Sequence, residues 1–411
     1  MYLLLGYGIS NQSVAKYFDS LKIDYLIYDD ISNKININYD KIDCVVKSGS
    51  IVNNHFIIEE AKKRKIRICS DLELFYNLSK NKKIIVVTGT NGKSTTVSLI
   101  KEIIGKSVDL GGNIGVPLFE FIKSKKDIII ETSSYMNEYI DKFKAKYYCI
   151  TNIYPNHLEH HKTFENYVNC KMKFLKNICK TDYLIYNYDN LLLRRLVSNL
   201  DCYKVPFSKN EKVKGVYIKN NCVYFNMRKI IELNEIKLLG EHNLENVMAS
   251  VATCYSYGID HFEIKKGIMN FMGIEHRLEY VFTTNNIKIY NDSKSTNFLA
   301  LKNALKSFGN KKILLIMGGS IKEDDINVID ECINNVKKVV ICGENKEVLI
   351  NYFDNKKIEY EVYDCLKDAL KYKNNWFKEE IDVILFSPGA PSFDQFKNFE
   401  ARGRFFKKNM L

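Results

Sequence analysis

Apolar residues in this chain fall into short runs, and each run ends in glycine or in a polar cluster. Residues 2–5 stop at Gly6, residues 25–28 at Asp29 and Asp30, and residues 45–46 at Lys47-Ser48-Gly49-Ser50. The same punctuation follows residues 66–69, 84–87, 128–130, 148–150, 287–290, 314–317, 339–342 and 383–386. Runs of this length, bounded by turn formers, read as strands, and the unbroken Ile- and Val-rich ones as strands covered on both faces. Between them the period lengthens to that of a helix, at about 12–21, 93–104, 167–178 and 247–255. Strands alternating with helices predict an α/β protein with parallel sheets. A helix and linker over 71–80 and a polar stretch over 273–279 place boundaries that divide the chain into 1–80, 81–274 and 275–411.

At 411 residues, two or three domains are expected. A hydrophobic share of 46% with 27% charged residues is that of a globular protein. The net charge of +12 raises the question of nucleic acid. The lysines, however, are scattered among Asn, Ile and Tyr along the whole chain, so small anionic ligands are the expected partners, with no nucleic acid. Eleven cysteines without a C-x-x-C pair read as reduced thiols of a cytoplasmic protein. The opening MYLLL is too short for a signal peptide and reads as a first strand. No apolar run reaches the length that spans a bilayer, so no membrane insertion is expected.

The densest chemistry follows the run at 84–87. Thr88-Gly89-Thr90-Asn91-Gly92-Lys93-Ser94-Thr95 joins a buried strand to a helix that stops at Gly105. Strand, glycine turn and helix N-terminus form a phosphate cradle of backbone N–H groups. Lys93 can reach the β/γ-phosphates of a nucleotide and the Ser94 hydroxyl can hold Mg²⁺. The spacing G-x-x-G-K-S is two residues tighter than the usual phosphate loop, with Val87 where the first glycine would fall.

Other strand ends carry further candidates. Gly6-Tyr7-Gly8-Ile9-Ser10-Asn11 opens a Rossmann-like βαβ unit with Asp29 at the ribose position, but Asn11 replaces the third glycine. This favours a nucleotide diphosphate tail over a nicotinamide cofactor. Glu131, at the carboxyl end of the 128–130 strand, suits a Mg²⁺ ligand or a helix N-cap. His157, His160 and His161 lie close together; a zinc site or simply exposed imidazoles both fit. Lys171, taken alone, reads as a solvated surface lysine. Asn243 and Asn246 share a helical face and suit the edge of a purine or a helix cap.

Taken in order, TGTNGKS (88–94), GGNIG (111–115), ETSS (131–134), NHL (156–158), GEHNLEN (240–246), HRLE (276–279), NDSKSTN (291–297) and SFDQFKNF (392–399) resemble the ATP-dependent Mur ligases of peptidoglycan synthesis. The resemblance covers essentially the whole chain, and the run DQFKNFEARG (394–403) is similar to that of the D-glutamate-adding members. It implies three domains: a Rossmann-like N-terminal domain for UDP-MurNAc-L-alanine, a central phosphate-loop domain with a parallel or mixed sheet for ATP and Mg²⁺, and a Rossmann-like C-terminal domain for D-glutamate. A monomer is expected.

Carried over by position, the resemblance gives Ile9, Ser10, Asp29, Gly49, Asn113 and Ser133 to the nucleotide-sugar substrate. The loop residues Gly89 to Thr95, with Asn243, Asn246, Arg277 and Asp292, go to ATP. Ser94, Glu131, His157 and a carbamoylated Lys171 go to two Mg²⁺ ions. Lys294, Thr296, Lys322, Ser392 and Phe399 go to D-glutamate, and Lys93, His157, Lys171, Arg277 and Lys294 are the expected catalytic groups. A hinge near 273–276 is implied as well. The chain departs from the family at Ile31, Met136, Asn156 and Glu159. Two other functions fit the same motifs: a folylpolyglutamate-type ligase with another acceptor, and an inactive paralogue that binds nucleotide sugar.

Overall fold

The computed structural model describes residues 1–79, 82–322 and 325–411, and its strands form three sheets. The first contains β1 (Tyr2–Leu5), β2 (Tyr25–Tyr28), β3 (Cys44–Lys47) and β4 (Arg67–Ser70) in the order β2-β1-β3-β4, all parallel. The helix Ile9–Leu21 starts three residues before the expected Gln12, because the turn closes at Gly8 and Gln12 N–H already bonds Gly8 O. Asn11, where a third glycine was expected, is fully buried. Its amide donates to the carbonyls of Leu5, Gly6 and Val46, so a side chain ties β1 to β3.

The second sheet has nine strands: β5 (Ile84–Thr88), β6 (Val108–Gly112), β7 (Asp127–Glu131), β8 (Tyr147–Ile150), β9 (Tyr183–Asn187), β10 (Tyr203–Ser208), β11 (Val216–Lys219), β12 (Cys222–Phe225) and β13 (Arg228–Glu232). Their order is β13-β12-β11-β10-β9-β8-β5-β7-β6. It is parallel from β6 to β11 and antiparallel through β12 and β13. Ile84 to Val87 are buried on both faces, which is why the run is unbroken rather than alternating. The expected boundary near residue 80 falls on Lys80 and Asn81, outside the described residues. The two sheets share one apolar cluster that runs from Leu4, Val46 and Phe75 through Leu118 and Phe119 to Val86 and Ile128.

The third sheet holds β14 (Glu279–Thr284), β15 (Ile287–Asn291), β16 (Ile313–Met317), β17 (Val336–Cys342), β18 (Glu359–Tyr363) and β19 (Val383–Phe386), in the order β14-β15-β19-β16-β17-β18. Only β14 runs antiparallel to its neighbour. Leu315, Met317, Val339 and Leu385 pack on one face and Leu314, Ile316, Val340 and Ile384 on the other, so helices cover both. The stretch expected to be a polar hinge through Glu279 instead ends by starting β14. Two compact units result, Met1–Ile236 with Leu244–Asn270, and Lys237–Asn243 with Phe271–Leu411. Among the described residues no helix is long and apolar enough to cross a membrane.

Candidate active site

In the first unit, the register of the central sheet aligns the ends of three strands. Val87 lies opposite Glu131, Thr88 opposite Ile150, and Gly112 opposite Glu131. The turn after β5 is therefore flanked on one side by Glu131 and on the other by Thr151 and Asn152. The turn is held from outside. Thr90 N–H bonds Asn152 O at 2.9 Å, Asn91 N–H bonds Asn152 Oδ1 at 2.9 Å, and Thr151 Oγ1 donates to Asn91 O at 2.6 Å. Gly89 has φ +152° and Gly92 φ +82°, and a Cβ on either would sit within about 2 Å of the Oγ1 of Thr151 or the Oδ1 of Asn246. Both positions exclude a side chain by contact as well as by backbone angle. The helix Lys93–Ile104 follows with no side-chain cap at Gly92, so its first turn presents backbone donors.

Two lysines converge on this turn. Lys93 Nζ donates to the carbonyls of Gly89 and Thr90 at 2.9 and 2.8 Å. Lys171 Nζ donates to the same Gly89 carbonyl at 2.9 Å and lies 5.0 Å from the centre of the Tyr167 ring. Read alone as a solvated lysine, Lys171 is instead 2% exposed, because its stretch of the helix Phe164–Met172 packs against the central sheet. Burial, reinforced by the Lys93 charge, lowers its pKa to about 7 against the opposing pull of Glu131. The ammonium and the free amine are thus both accessible near neutrality. Tyr167 closes the group: its hydroxyl meets Thr90 Oγ1 at 2.9 Å.

Glu131 is 1% exposed. Its Oε1 accepts from Asn113 Nδ2 at 2.8 Å, while Oε2 is buried without a hydrogen-bond partner. A buried carboxylate oxygen left open costs about 1–3 kcal/mol or more, and a hard cation would satisfy it. Ser94 is half-buried in the first turn of the helix after the loop. His157 adopts φ +53° at the start of the short helix Leu158–His161. Its ring lies 5.2 Å from Tyr135 and 6.4 Å from Tyr167, and Nδ1 lies 3.5 Å from Glu159 Oε1. Imidazole exposure was one expectation at 160 and 161, but His161 is buried and the His160 side chain nearly so.

The remaining first-unit candidates lie at ends of the first sheet or beside the central one. Ile9 is exposed, and a Cβ on Gly49 would lie 3.5 Å from Tyr135 Cβ, in ordinary contact. The Ser10 hydroxyl lies beside the buried Asp71 carboxyl and opposes the burial that raises its pKa. Asp29 is held by the glycine turn after β1 and by its own turn, accepting from the N–H groups of Tyr7, Ser32 and Ile31, which pull its pKa down to about 2. Ser133 caps a short helix by accepting Met136 N–H, and Met136 itself is a core residue. Asn246 is buried beside Gly92.

The second unit carries the others. Asn243 Nδ2 donates to Leu239 O at 2.7 Å. Asp292 is buried, accepts from Leu278 N and Ser387 Oγ, and is pushed up to about 7 by that burial. Arg277 and Lys322 are exposed and Thr296 is half-buried. Lys294 Nζ stands 5.6 Å from the centre of the Phe399 ring, and Ser392 is buried. Missed from the sequence is Arg402, whose buried guanidinium donates to Ser293 O, Ser293 Oγ and Pro391 O. Also missed were the bracing residues Thr151 and Asn152, for which polar residues at a strand end were the available signal, and Tyr167 of the helix Phe164–Met172, for which there was none.

Three α/β sheets, the second with a phosphate-loop turn at its carboxyl edge, define the architecture of a nucleotide-dependent ligase. The Mur ligase middle domain matches residues 87–254 and the Mur ligase glutamate ligase domain matches residues 276–389. UDP-N-acetylmuramoylalanine--D-glutamate ligase of Thermoanaerobacter pseudethanolicus is 35% identical over 99% of this chain and 97% of its own. The enzyme of that name from Streptococcus gordonii is 35% identical over 89% and 82%. Among solved structures, UDP-N-acetylmuramate-alanine ligase from Thermotoga maritima superposes with a TM-score of 0.61 at 19% identity, covering 99% of this chain and 98% of its own, which bears on the fold. The chain belongs to the Mur ligases, the ATP-dependent amide ligases of peptidoglycan precursor synthesis, with near full-length relatives that are D-glutamate ligases.

Proposed function

We propose that this chain adds D-glutamate to UDP-MurNAc-L-alanine at the expense of ATP, through an acyl phosphate. The observation that carries the reading is the group at the glycine turn: Lys93 and Lys171 on one carbonyl, beside Glu131 with an open buried oxygen. A carboxylate and a nucleoside triphosphate repel each other, and fixed cations aimed at the phosphate oxygens lower that barrier. Lys93 supplies one, and the first-turn N–H groups of the following helix supply partial positive charge. Arg277 is the second-unit cation that we assign to the phosphates.

Glu131 Oε2, Ser94 and, for a second ion, His157 with Lys171 would hold Mg²⁺, which when bound neutralises charge on the phosphate oxygens. The donor set fits a hard cation best if Lys171 is carbamoylated. Its free amine attacks the carbon of CO₂, a proton leaves, and the product is an oxygen-bearing carbamate in place of an ammonium. A pKa of about 7 supplies the free amine that this step requires. The substrate alanine carboxylate then attacks the γ-phosphorus and ADP leaves. The D-glutamate amine attacks the acyl carbon, loses a proton, and phosphate leaves.

We assign Ile9, Ser10, Asp29, Gly49, Asn113 and Ser133 to the nucleotide sugar, and Asn243, Asn246 and Asp292 to adenosine. Lys294, Thr296, Lys322, Ser392 and Phe399 are assigned to D-glutamate. The reading includes domain boundaries near 80 and 274, a monomer, and a cytoplasmic location. The test is phosphate release by purified protein with ATP, Mg²⁺ and UDP-MurNAc-L-alanine across a panel of amino acids. Release is expected only with D-glutamate; equal rates with L-glutamate would overturn the assignment.

A further inference from the structure

Beside the groups just assigned lies a second cluster that the ligase reaction does not use. Glu138, His160 and His161 bring one carboxylate oxygen and two imidazole nitrogens within 4.8 Å of one another. His160 Nε2 is 2.6 Å and His161 Nδ1 3.9 Å from the same oxygen, Glu138 Oε1. All three side chains are withdrawn from solvent, at 3, 10 and 2% exposure. The geometry is set by the fold. Glu138 follows the short helix Ser134–Asn137 at the carboxyl end of β7, and the two histidines form the last turn of Leu158–His161 after β8.

The surroundings are those of ligands whose orientation is fixed. His161 Nε2 meets Ser134 Oγ at 2.9 Å, which leaves Nδ1 directed at the carboxylate. Glu138 Oε2 is taken by the buried Lys47 ammonium at 3.1 Å, which leaves Oε1 as the oxygen facing the imidazoles. Lys173 Nζ also bonds the Glu138 carbonyl. His157, by contrast, pairs with Glu159 and is not one of the three.

We propose that Glu138, His160 and His161 form a binding site for a borderline divalent ion of the Zn²⁺ type, separate from the Mg²⁺ positions at the phosphate loop. Imidazole nitrogens select Zn²⁺, Co²⁺ or Ni²⁺ over Mg²⁺, which takes oxygen ligands and keeps its water. A tetrahedral ion with bonds of about 2.0–2.1 Å places its ligands roughly 3.3–3.4 Å apart. The His160 contact must open by about 0.7 Å and the His161 contact close by about 0.5 Å, the two imidazole nitrogens, which lie within 4.8 Å, settle to the same separation, and water takes the fourth position. Binding releases the hydrogen that His160 shares with Glu138 in the ion-free state.

The test is titration of the full chain with Co²⁺ in excess Mg²⁺, followed by visible absorption, with Zn²⁺ as competitor. One equivalent of Co²⁺ is expected to give the absorption of a four-coordinate ion, displaced by one equivalent of Zn²⁺. His160→Gln keeps a hydrogen bond to Glu138 and, like His161→Asn, is expected to abolish the band. Each of these ligand losses should weaken binding by more than the roughly 10–100-fold that removal of an outer partner costs; Ser134→Ala should fall within that range. No band in the unaltered chain, or a band undiminished in both histidine variants, overturns the proposal. No residue assigned to ATP or to either substrate is changed in the histidine variants, so the ligase reading stands or falls separately.

Discussion

A lysine buried to 2% exposure must shed its proton, find an anion or be chemically altered, and Lys171 is positioned for all three. Lys171→Ala is expected to lose at least about 100-fold in turnover, the scale of removing one fixed electrostatic group from a phosphoryl-transfer site, and to recover partly with added short carboxylates. Full activity in that variant would remove the carbamate from the account. Lys93→Ala should lose a similar factor without rescue. Asp292 gives a pH prediction in the second unit. Its folded pKa of about 7 lies about three units above the ordinary carboxyl value, because it is buried. Between about pH 4 and pH 7 the folded chain therefore keeps a proton that the unfolded chain has lost, and stability falls as pH rises through that window. Asp292→Asn should flatten this fall, which is at most about 4 kcal/mol at 1.36 kcal/mol per unit. Urea unfolding at pH 4.5 and 7 measures it, and an unchanged slope would contradict the assignment.

Elements are joined by a few buried polar clamps, of which Glu73 is the clearest. Its carboxylate, 1% exposed at the start of the helix Asp71–Leu78, accepts from three successive backbone N–H groups, those of Asp141, Lys142 and Phe143. Glu73→Ala leaves the three donors unpaired, that of Phe143 in a buried position, and is expected to cost about 2 kcal/mol, read as a lower urea midpoint at unchanged slope. Parallel strands such as those at 84–87 and 383–386 were legible because burial on both faces leaves an unbroken apolar run, whereas the parallel strands Val108–Gly112, Tyr183–Asn187, Tyr203–Ser208 and Glu359–Tyr363, which mix Tyr, Gly and polar residues into the run, were missed. The antiparallel strands were not legible, since half-exposed strands such as Val216–Lys219 and Glu279–Thr284 mix polar and apolar residues. A signal did exist: Asn220-Asn221 and Asn285-Asn286 both take positive φ in tight hairpins, and Asn pairs favour that turn. The phosphate loop was legible for a different reason, since its glycines meet Thr151 and Asn246 too closely for any Cβ. What the sequence could not reveal was which side chains brace it. Thr151 and Asn152 directly follow β8 and Tyr167 lies in a later helix, and only the sheet order β8-β5-β7 brings them to the turn.

At the scale of the whole molecule, each compact unit carries its own share of the assigned groups, the phosphate loop and Glu131 in one and Arg277, Asp292 and Lys294 in the other. The surplus of 12 positive charges is spread over 411 residues, and sedimentation of the purified chain is expected to report a monomer of 47.9 kDa. In the proposed reaction, cations gathered at the carboxyl edge of the central sheet allow the substrate carboxylate to attack ATP directly. The most direct measurement labels the alanine carboxylate of UDP-MurNAc-L-alanine with ¹⁸O and follows the label during D-glutamate-dependent turnover. Transfer of one labelled oxygen into each phosphate released is the predicted result, because the acyl phosphate breaks between carbon and that oxygen. Phosphate free of the label, with amide formed, would contradict the account.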